Sequence, residues 1–328
     1  MSLITTKEIA EQFIRINFIN SISSLPDMEA AEERYLLPVI GYDLYDKVIN
    51  LATAATIENE TDAELLKKCR AMVVPLAYLL ELPTIQTQLT DAGLRTISTE
   101  NMQAAHRWEY NQVRDYLVDK GSFAIESLLR FLFQHKDSYS EWTESNEYKE
   151  ASSLVFKTGD EFNRYFRLHQ PHRMFWELRP LIKEVEDFYI HSAIGEAFYT
   201  TLKTKSEPTA EEKHALELIK KAVAQTTVLK AVEKLSVKIT EKGFTVLMSA
   251  GDPDSENSGD APAENNRLSL LYDSCQRSSD AYLLQLSEYL NAKASTTVFK
   301  EYFESSYYEK PATICTESPN AKRKIFGF

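Results

Sequence analysis

Apolar positions along this chain recur mainly three and four residues apart, the period of amphipathic helices, and only two short stretches switch to a period of two. Residues 5–22 carry such a helical face, with Thr5 or Thr6 as N-cap and Glu8 in the first turn. A second helix is predicted over 27–37 after Leu25-Pro26, and Pro38 begins a step into IGYDLYDKVI, where Gly41 reads as a turn or close approach. Residues 61–82 are strongly apolar and open with a capping box, Thr61 to Glu64; they predict a central buried helix kinked at Pro75. TIQTQL and LRTIS then alternate in period two around Thr90-Asp91-Ala92-Gly93, which predicts a β-hairpin near 84–98. Residues 101–135 return to a long helix, broken near Gly121.

The same order of features comes round again. EERYLLPVIGYDLYDKVI around Gly41 matches VEDFYIHSAIGEAFYTTL around Gly195, pairing Tyr35 with Tyr189, Ile40 with Ile194 and Tyr45 with Tyr199 at one offset of 154. SVKIT and FTVLMS flank Glu241-Lys242-Gly243 and predict a second hairpin near 235–249, followed by a helix over 268–293. The expected fold is therefore mainly α: two tandem duplicated helical modules, each with a short β-hairpin between long helices. Module 1 spans 1–137, a polar linker 138–152, module 2 spans 153–295, and 296–328 is a C-terminal extension. GDPDSENSGDAPAENN, 251–266, has no large apolar group and is expected as a mobile loop.

Composition narrows the function. The chain has 328 residues, 43% hydrophobic and 26% charged, which excludes a disordered tail protein. Its formal net charge of −12 argues against a broad nucleic-acid grip. The opening MSLITTKEIAEQFIRINF has neither a signal-peptide core nor a membrane span, so no membrane role is expected. Cys69, Cys275 and Cys315 lie far apart and are expected as reduced structural thiols.

Candidate chemistry is sparse. Phosphate-binding glycine loops, HExxH and GxSxG are absent, and acids are scattered over helix faces where Lys or Arg neighbours can pair with them. Only His169 and His172 come close together; a catalytic reading would join them to acids near Glu184. No catalytic residue, metal site, cofactor or small-molecule substrate is expected. The structural turns are assigned to Gly41, Gly195, Gly93 and Gly243. Subunit contact is assigned to Phe299, Tyr302, Phe303, Tyr307 and Tyr308, since no further helix follows for them to pack on. The tail adds Phe326 and Phe328, while Lys322, Arg323 and Lys324 would meet DNA or an acidic partner.

ITTKEIAEQF, AEERYLLPVIGYDLYDKV, the apolar helix ending in Leu82-Pro83 and DAGLRTIS together resemble an uncharacterised family encoded in phages and prophages of Bacteroides-type bacteria. That family is itself similar to the helical head–tail connector, or neck adaptor, proteins of tailed phages. The resemblance implies a non-enzymatic virion protein that forms a ring homo-oligomer and meets portal and tail proteins. It would be found in the virion neck, or in the bacterial cytoplasm during assembly. Neighbour contacts would fall on the two hairpins and on the tail from 311 onward, with DNA only as passing cargo along an acidic wall that does not hold it. The duplication departs from single-module adaptors. The alternative from another class is a helical scaffold or regulatory protein-binding module encoded by the host or a mobile element.

Overall fold

Helix ends set by capping side chains and by glycine recur in the computed structural model, which describes residues 2–14, 25–85, 87–90, 93–96, 106–235, 237–240, 243–246 and 261–310. The described residues are mainly helical and divide into two compact units. The first joins Met1–Lys183 to Thr227–Ser274, and the second joins Glu184–Thr226 to Cys275–Phe328. These units are discontinuous, unlike the sequential modules expected from the sequence.

In the first unit, α1 (Lys7–Glu11) is followed by α2 (Met28–Ala31), whose N-cap Asp27 accepts from the Ala30 N–H at 2.9 Å. The helix then widens into a π turn, Glu32–Leu36, and closes with α3 (Leu37–Ile40). Gly41 ends it at φ 74° and ψ 168°, a combination open only to glycine, and α4 (Tyr42–Thr53) starts immediately. Glu32 is buried at the π turn. It accepts hydrogen bonds from Ser2 Oγ (2.7 Å), Leu3 N (2.8 Å) and Tyr45 Oη (2.7 Å), so the N-terminal residues and α4 are tied to one carboxylate. Burial, and then the Glu32 carboxylate, push the Tyr45 phenol well above its ordinary value.

α5 (Glu60–Ile85) runs through both Pro75 and Pro83. Its start is two residues earlier than the capping box predicts: Asn59 Oδ1 accepts from the Thr61 N–H at 2.9 Å and takes the capping place given to Thr61. Strands β1 (Thr87–Thr90) and β2 (Gly93–Thr96) pair antiparallel, Leu89 opposite Leu94; the turn residues 91–92 lie outside the described residues. Antiparallel to α5 lies α6 (Arg107–Gln134), which is continuous where a break near Gly121 was expected. The reason is packing: a Cβ on Gly121 would come within 2.4 Å of Leu76 Cδ2, so the glycine lets the two helices approach. Lys68 Nζ to Ser127 Oγ (3.0 Å) continues the contact.

The segment expected as a polar linker is instead built into this unit. After a 3₁₀ turn, Lys136–Ser138, come α7 (Ser140–Thr143) and α8 (Asn146–Ser153), with Tyr139 and Trp142 fully buried. Tyr139 Oη donates to Asp62 Oδ1 (3.1 Å), and Lys47 pairs with Glu141 at 3.0 Å. α9 (Gly159–Asn163) leads to a left-handed residue, Gln170 at φ 59°, and into α10 (Pro171–Val185). Strands β3 (Val237–Thr240) and β4 (Gly243–Val246) pair antiparallel in the same unit, with 241–242 outside the described residues. β4 is not the exposed neighbour-contact element expected. Phe244, Thr245 and Val246 are buried, His169 N donates to Phe244 O at 2.9 Å, and Gly243, at φ 132°, lies against the Arg167 carbonyl.

In the second unit the arrangement at the glycine recurs. A π turn, Glu186–Ile190, runs into α11 (His191–Ile194), Gly195 sits at φ 85°, and α12 (Glu196–Thr204) comes next. Gly41 N donates to Leu37 O, and Gly195 N to His191 O, both at 2.9 Å. Glu186 is fully buried like Glu32, and here Lys203 Nζ reaches it at 2.7 Å. α13 (Ala210–Lys234) as far as Thr226 and α14 (Ala261–Lys293) from Cys275 onward belong to this unit, where Thr226 Oγ1 meets Ser279 Oγ at 2.6 Å. The loop expected over 251–266 is therefore helical from Ala261, with Pro262 in the first turn, where its missing N–H has no partner to lose; 251–260 lie outside the described residues.

α15 (Lys300–Phe303) packs within the second unit. Phe299 and Tyr302 are buried, stacking edgewise and tilted on Phe198 at 5.7 and 5.5 Å, and Tyr302 Oη donates to Asn291 Oδ1 at 2.9 Å. Tyr307 covers Gly195, as Ser145 covers Gly41. Alanine at either glycine would meet those atoms at 2.9–3.0 Å and force a glycine-only backbone conformation. Gly41→Ala and Gly195→Ala are each expected to cost about 1–3 kcal/mol. Unfolding free energies from urea denaturation within about 0.3 kcal/mol of the parent would contradict this.

Candidate functional site

α6 presents two different faces. Its start is fixed by a capping box in which the His106 N–H donates to Glu109 Oε2 at 2.8 Å. Leu117, Ala124, Ile125, Leu128, Leu129 and Leu132 are buried. Trp108, Val113, Tyr116 and Phe123 are exposed instead, by 60, 47, 51 and 65%. At 3.6 residues per turn, Trp108, Tyr116 and Phe123 fall within one quarter of the helix circumference. Asp115 and Asp119 are exposed beside them. Three large aromatic groups in a row on solvent are unusual for a surface that stays uncovered. They are the type of residue found at the centres of protein interfaces.

The second half of α6 carries a buried carboxylate. Glu126 accepts from His172 Nδ1 (3.0 Å) and Arg130 Nη2 (2.9 Å) on one oxygen and from Arg173 N (2.9 Å) on the other. His172 and Arg173 stand in the first turn of α10, so Glu126 supplies from a separate helix the anion that a helix N-terminus favours. Burial works to raise its pKa, but the His172 and Arg173 hydrogen bonds and the nearby cations outweigh that and hold it below the ordinary carboxylate value. Asp160 Oδ2 lies 3.6 Å from His172 Nε2. The acids that meet His172 are thus Glu126 and Asp160, and the group orients two helices; no nucleophilic side chain is brought to it by these contacts.

An aromatic cluster adjoins the pair. Trp142 stacks near Tyr148 (4.7 Å), Trp176 (6.2 Å) and the edge of Phe133 (5.1 Å). The two indole N–H groups donate to consecutive carbonyls at the end of α3, Trp142 to Val39 O (3.1 Å) and Trp176 to Pro38 O (3.3 Å). Those carbonyls are orphaned by the helix stopping at Gly41, and the tryptophans satisfy them. The Arg179 guanidinium lies 3.6 Å from the centre of the Trp176 ring and borders a cavity of about 500 Å³ with Glu150, Leu154 and Lys183. Burial pulls its pKa down to about 10, and it donates to Glu147 O and Trp176 O, so its polar groups are committed to the fold.

The residues assigned to subunit contact from the sequence divide accordingly. Phe299 and Tyr302 are core, Phe303 and Tyr308 are half-buried, and Tyr307 lies against Gly195 while staying 40% exposed. They pack because α12 stands beneath them, contrary to the expectation that nothing remained for them to pack on. Phe326, Phe328, Lys322, Arg323 and Lys324 lie outside the described residues. So does Cys315, while Cys69 and Cys275 are buried free thiols. Burial raises the Cys69 pKa despite Arg70 beside it, and raises that of Cys275 to about 11. Sequence reasoning missed Trp108, Tyr116 and Phe123, although their spacing on one face was there to read. It also missed Glu126, for which no local pattern existed.

Among the described residues no group of three or more His, Cys, Asp or Glu side chains is placed to hold a metal ion, and no helix is long and apolar enough to cross a membrane. A model of a family of unknown function matches the chain twice, over residues 36–152 and over 190–312. No curated protein and no solved structure matches it.

Proposed function

We propose, from the premise that the chain belongs to the family of unknown function DUF6712, that it is a non-enzymatic structural protein made of two tandem modules and acting through subunit contacts. Its setting on this reading is a phage neck, as a ring-forming head–tail connector. The exposed aromatic face of α6 carries the proposal, because apolar groups of that size left on solvent lose free energy that covering by another chain would return.

The tandem part draws on matching offsets. The two family matches begin at 36 and 190, which differ by the 154 that separates Gly41 from Gly195. They end at 152 and 312, which differ by 160. At that offset YSEWTESNEY (139–148) meets FKEYFESSYY (299–308), pairing Trp142 with Tyr302, Glu144 with Glu304, Ser145 with Ser305 and Tyr148 with Tyr308. α7 and α15 coincide under it, and both anchors are buried. The expected linker and extension are then the same closing element of two modules.

The virion setting rests on the sequence resemblance alone. Purified full-length chain is expected to form closed rings under negative stain and to sediment as one large species. It is also expected to leave duplex DNA unbound at physiological salt, as an acidic channel wall requires. Dispersed monomers would overturn the ring and favour the protein-binding scaffold; tight DNA binding with a steep salt dependence would overturn the sliding wall.

A further inference from the structure

We propose that the face of α14 at Leu284 holds residues 15–24 of a second copy of this chain. The inference rests on the subunit-contact reading and names one contact for it. α6 and α14 are counterparts in the two repeats. Leu117, Gly121, Leu128 and Leu132 are buried on α6, and the residues 158 positions on, Cys275, Ser279, Leu286 and Leu290, are buried on α14. Gly121 packs on Leu76 of α5 and Ser279 on Thr226 of α13; Thr226 follows Leu76 by 150, the spacing that separates Gly93 from Gly243.

One stripe breaks the match. Ser122, Glu126 and Leu129 are buried on α6, four and three residues apart and so on one side of the helix. Their counterparts on α14 are Asp280, exposed, Leu284, 60% exposed, and Ser287, half-buried. The cover on α6 comes from the start of α10, within the first unit. His172 and Arg173 reach Glu126, and the His172 and Trp176 rings lie 5.8 and 6.4 Å from Phe133. A single exposed leucine is ordinary on a protein surface. This one stands at the place where the other repeat is covered.

The cover on α6 is the lead-in to the second repeat. Residues 169–178, HQPHRMFWEL, precede Gly195 as residues 15–24, RINFINSISS, precede Gly41, at the offset of 154 that also relates Pro180 to Pro26. Residues 15–24 lie outside the described residues. The two lead-ins differ in the same sense as the two helices. Residues 169–178 carry His169, His172, Arg173 and Glu177 and meet an acid, Glu126. Residues 15–24 carry Ile16, Phe18, Ile19 and Ile22 with Arg15 as their one charge, and the residue in the place of Glu126 is Leu284. Ionic groups are matched within the chain, and apolar groups are matched across the proposed contact, where burying both sides is favourable. Stacked repeats touch their neighbours by one recurring contact. Made from α14 of one copy to the first repeat of another, that contact is heterologous and repeats head to tail.

The test uses full-length protein carrying a photoreactive benzoyl-phenylalanine in place of Leu284, mixed as isotopically light and heavy chains and irradiated. Mixed-isotope crosslinks from position 284 to peptides containing residues 15–24 are expected. Leu284→Asp should weaken self-association about tenfold or more in sedimentation, the loss of one anchor contact. Leu270→Asp is the control: Leu270 is 68% exposed on the same helix, but its counterpart Gln112 is exposed too, so association should stay within about twofold of the parent. Both leucines are exposed, so circular dichroism should be unchanged in either variant. Crosslinks confined to single isotopes, crosslinks to other regions, or equal effects of the two substitutions would overturn the proposal. If rings form while position 284 never reaches 15–24, this contact is wrong and the ring reading survives; if sedimentation of the parent shows only monomers, both fall.

Discussion

Trp142→Ala should unfold the first unit or leave it barely stable. Trp142 is fully buried, and deleting so large a side chain from a core costs about 3–5 kcal/mol. Its indole N–H also holds the Val39 carbonyl, which loses its partner when the ring goes; an unsatisfied buried acceptor adds about 1–3 kcal/mol. The sum approaches the whole stability of an ordinary domain, about 5–15 kcal/mol. Trp142→Phe separates the two contributions, since it keeps much of the volume and gives up the hydrogen bond, and should cost about 1–3 kcal/mol. Urea denaturation followed by circular dichroism measures both. If Trp142→Ala stayed within about 1 kcal/mol of the parent, the indole would not be what anchors α7 on the end of α3.

That anchor explains why 138–152 reads as a linker in the sequence. SYSEWTESNEYKE is polar over most of its length, and a single-turn helix is too short to display a 3.6-residue period. Tyr139 and Trp142 lie three apart and face the same way, so one turn delivers both rings to the core. The glycine turns, by contrast, are readable because Gly41 and Gly195 sit inside apolar phrases that repeat at a fixed spacing. Glu32 and Glu186 occupy matching positions in those phrases, yet an acid on a helix is ordinarily solvated, and only three-dimensional packing turns both inward.

The α6 face was hidden for a different reason. Aromatic residues in a helix of this kind are usually core, and α6 does have a core side, so their spacing alone does not say whether Trp108, Tyr116 and Phe123 are covered. Which of two apolar sides is covered depends on the partner helix, and α5 takes the side of Leu117 and Gly121. β4 went the opposite way. Its alternation suggested one solvated side, but the chain at 167–169 pairs with it and Met174 Sδ accepts from Val246 N at 3.3 Å, so both sides are enclosed. Local pattern thus gave the helices and turns; burial was decided by long-range pairing that no window of sequence contains.

Glu126→Gln is expected to destabilise the first unit by about 3–5 kcal/mol, the cost of breaking a buried charge cluster from one side. The carboxylate serves His172, Arg130 and the Arg173 N–H at once, and the buried Arg173 guanidinium, which donates to Val246 O at 2.9 Å, has Glu177 and then this same carboxylate as its nearby negative charges. An amide offers one acceptor oxygen and turns an N–H₂ toward donors. The pH dependence has a definite sign. The folded pKa of Glu126 lies below the ordinary 4.5, so its stabilisation is complete above that value and drains away as pH falls through the folded pKa. Parent protein should therefore lose stability below about pH 4.5 more steeply than Glu126→Gln, measured as urea midpoints between about pH 3 and 6. Glu64→Gln is the control, because Glu64 is 43% exposed in an i,i+4 pair with Lys68 and should change stability by no more than about 0.5 kcal/mol. Equal effects of the two substitutions, or parallel acid limbs for parent and Glu126→Gln, would show that α6 and α10 are held together without this carboxylate.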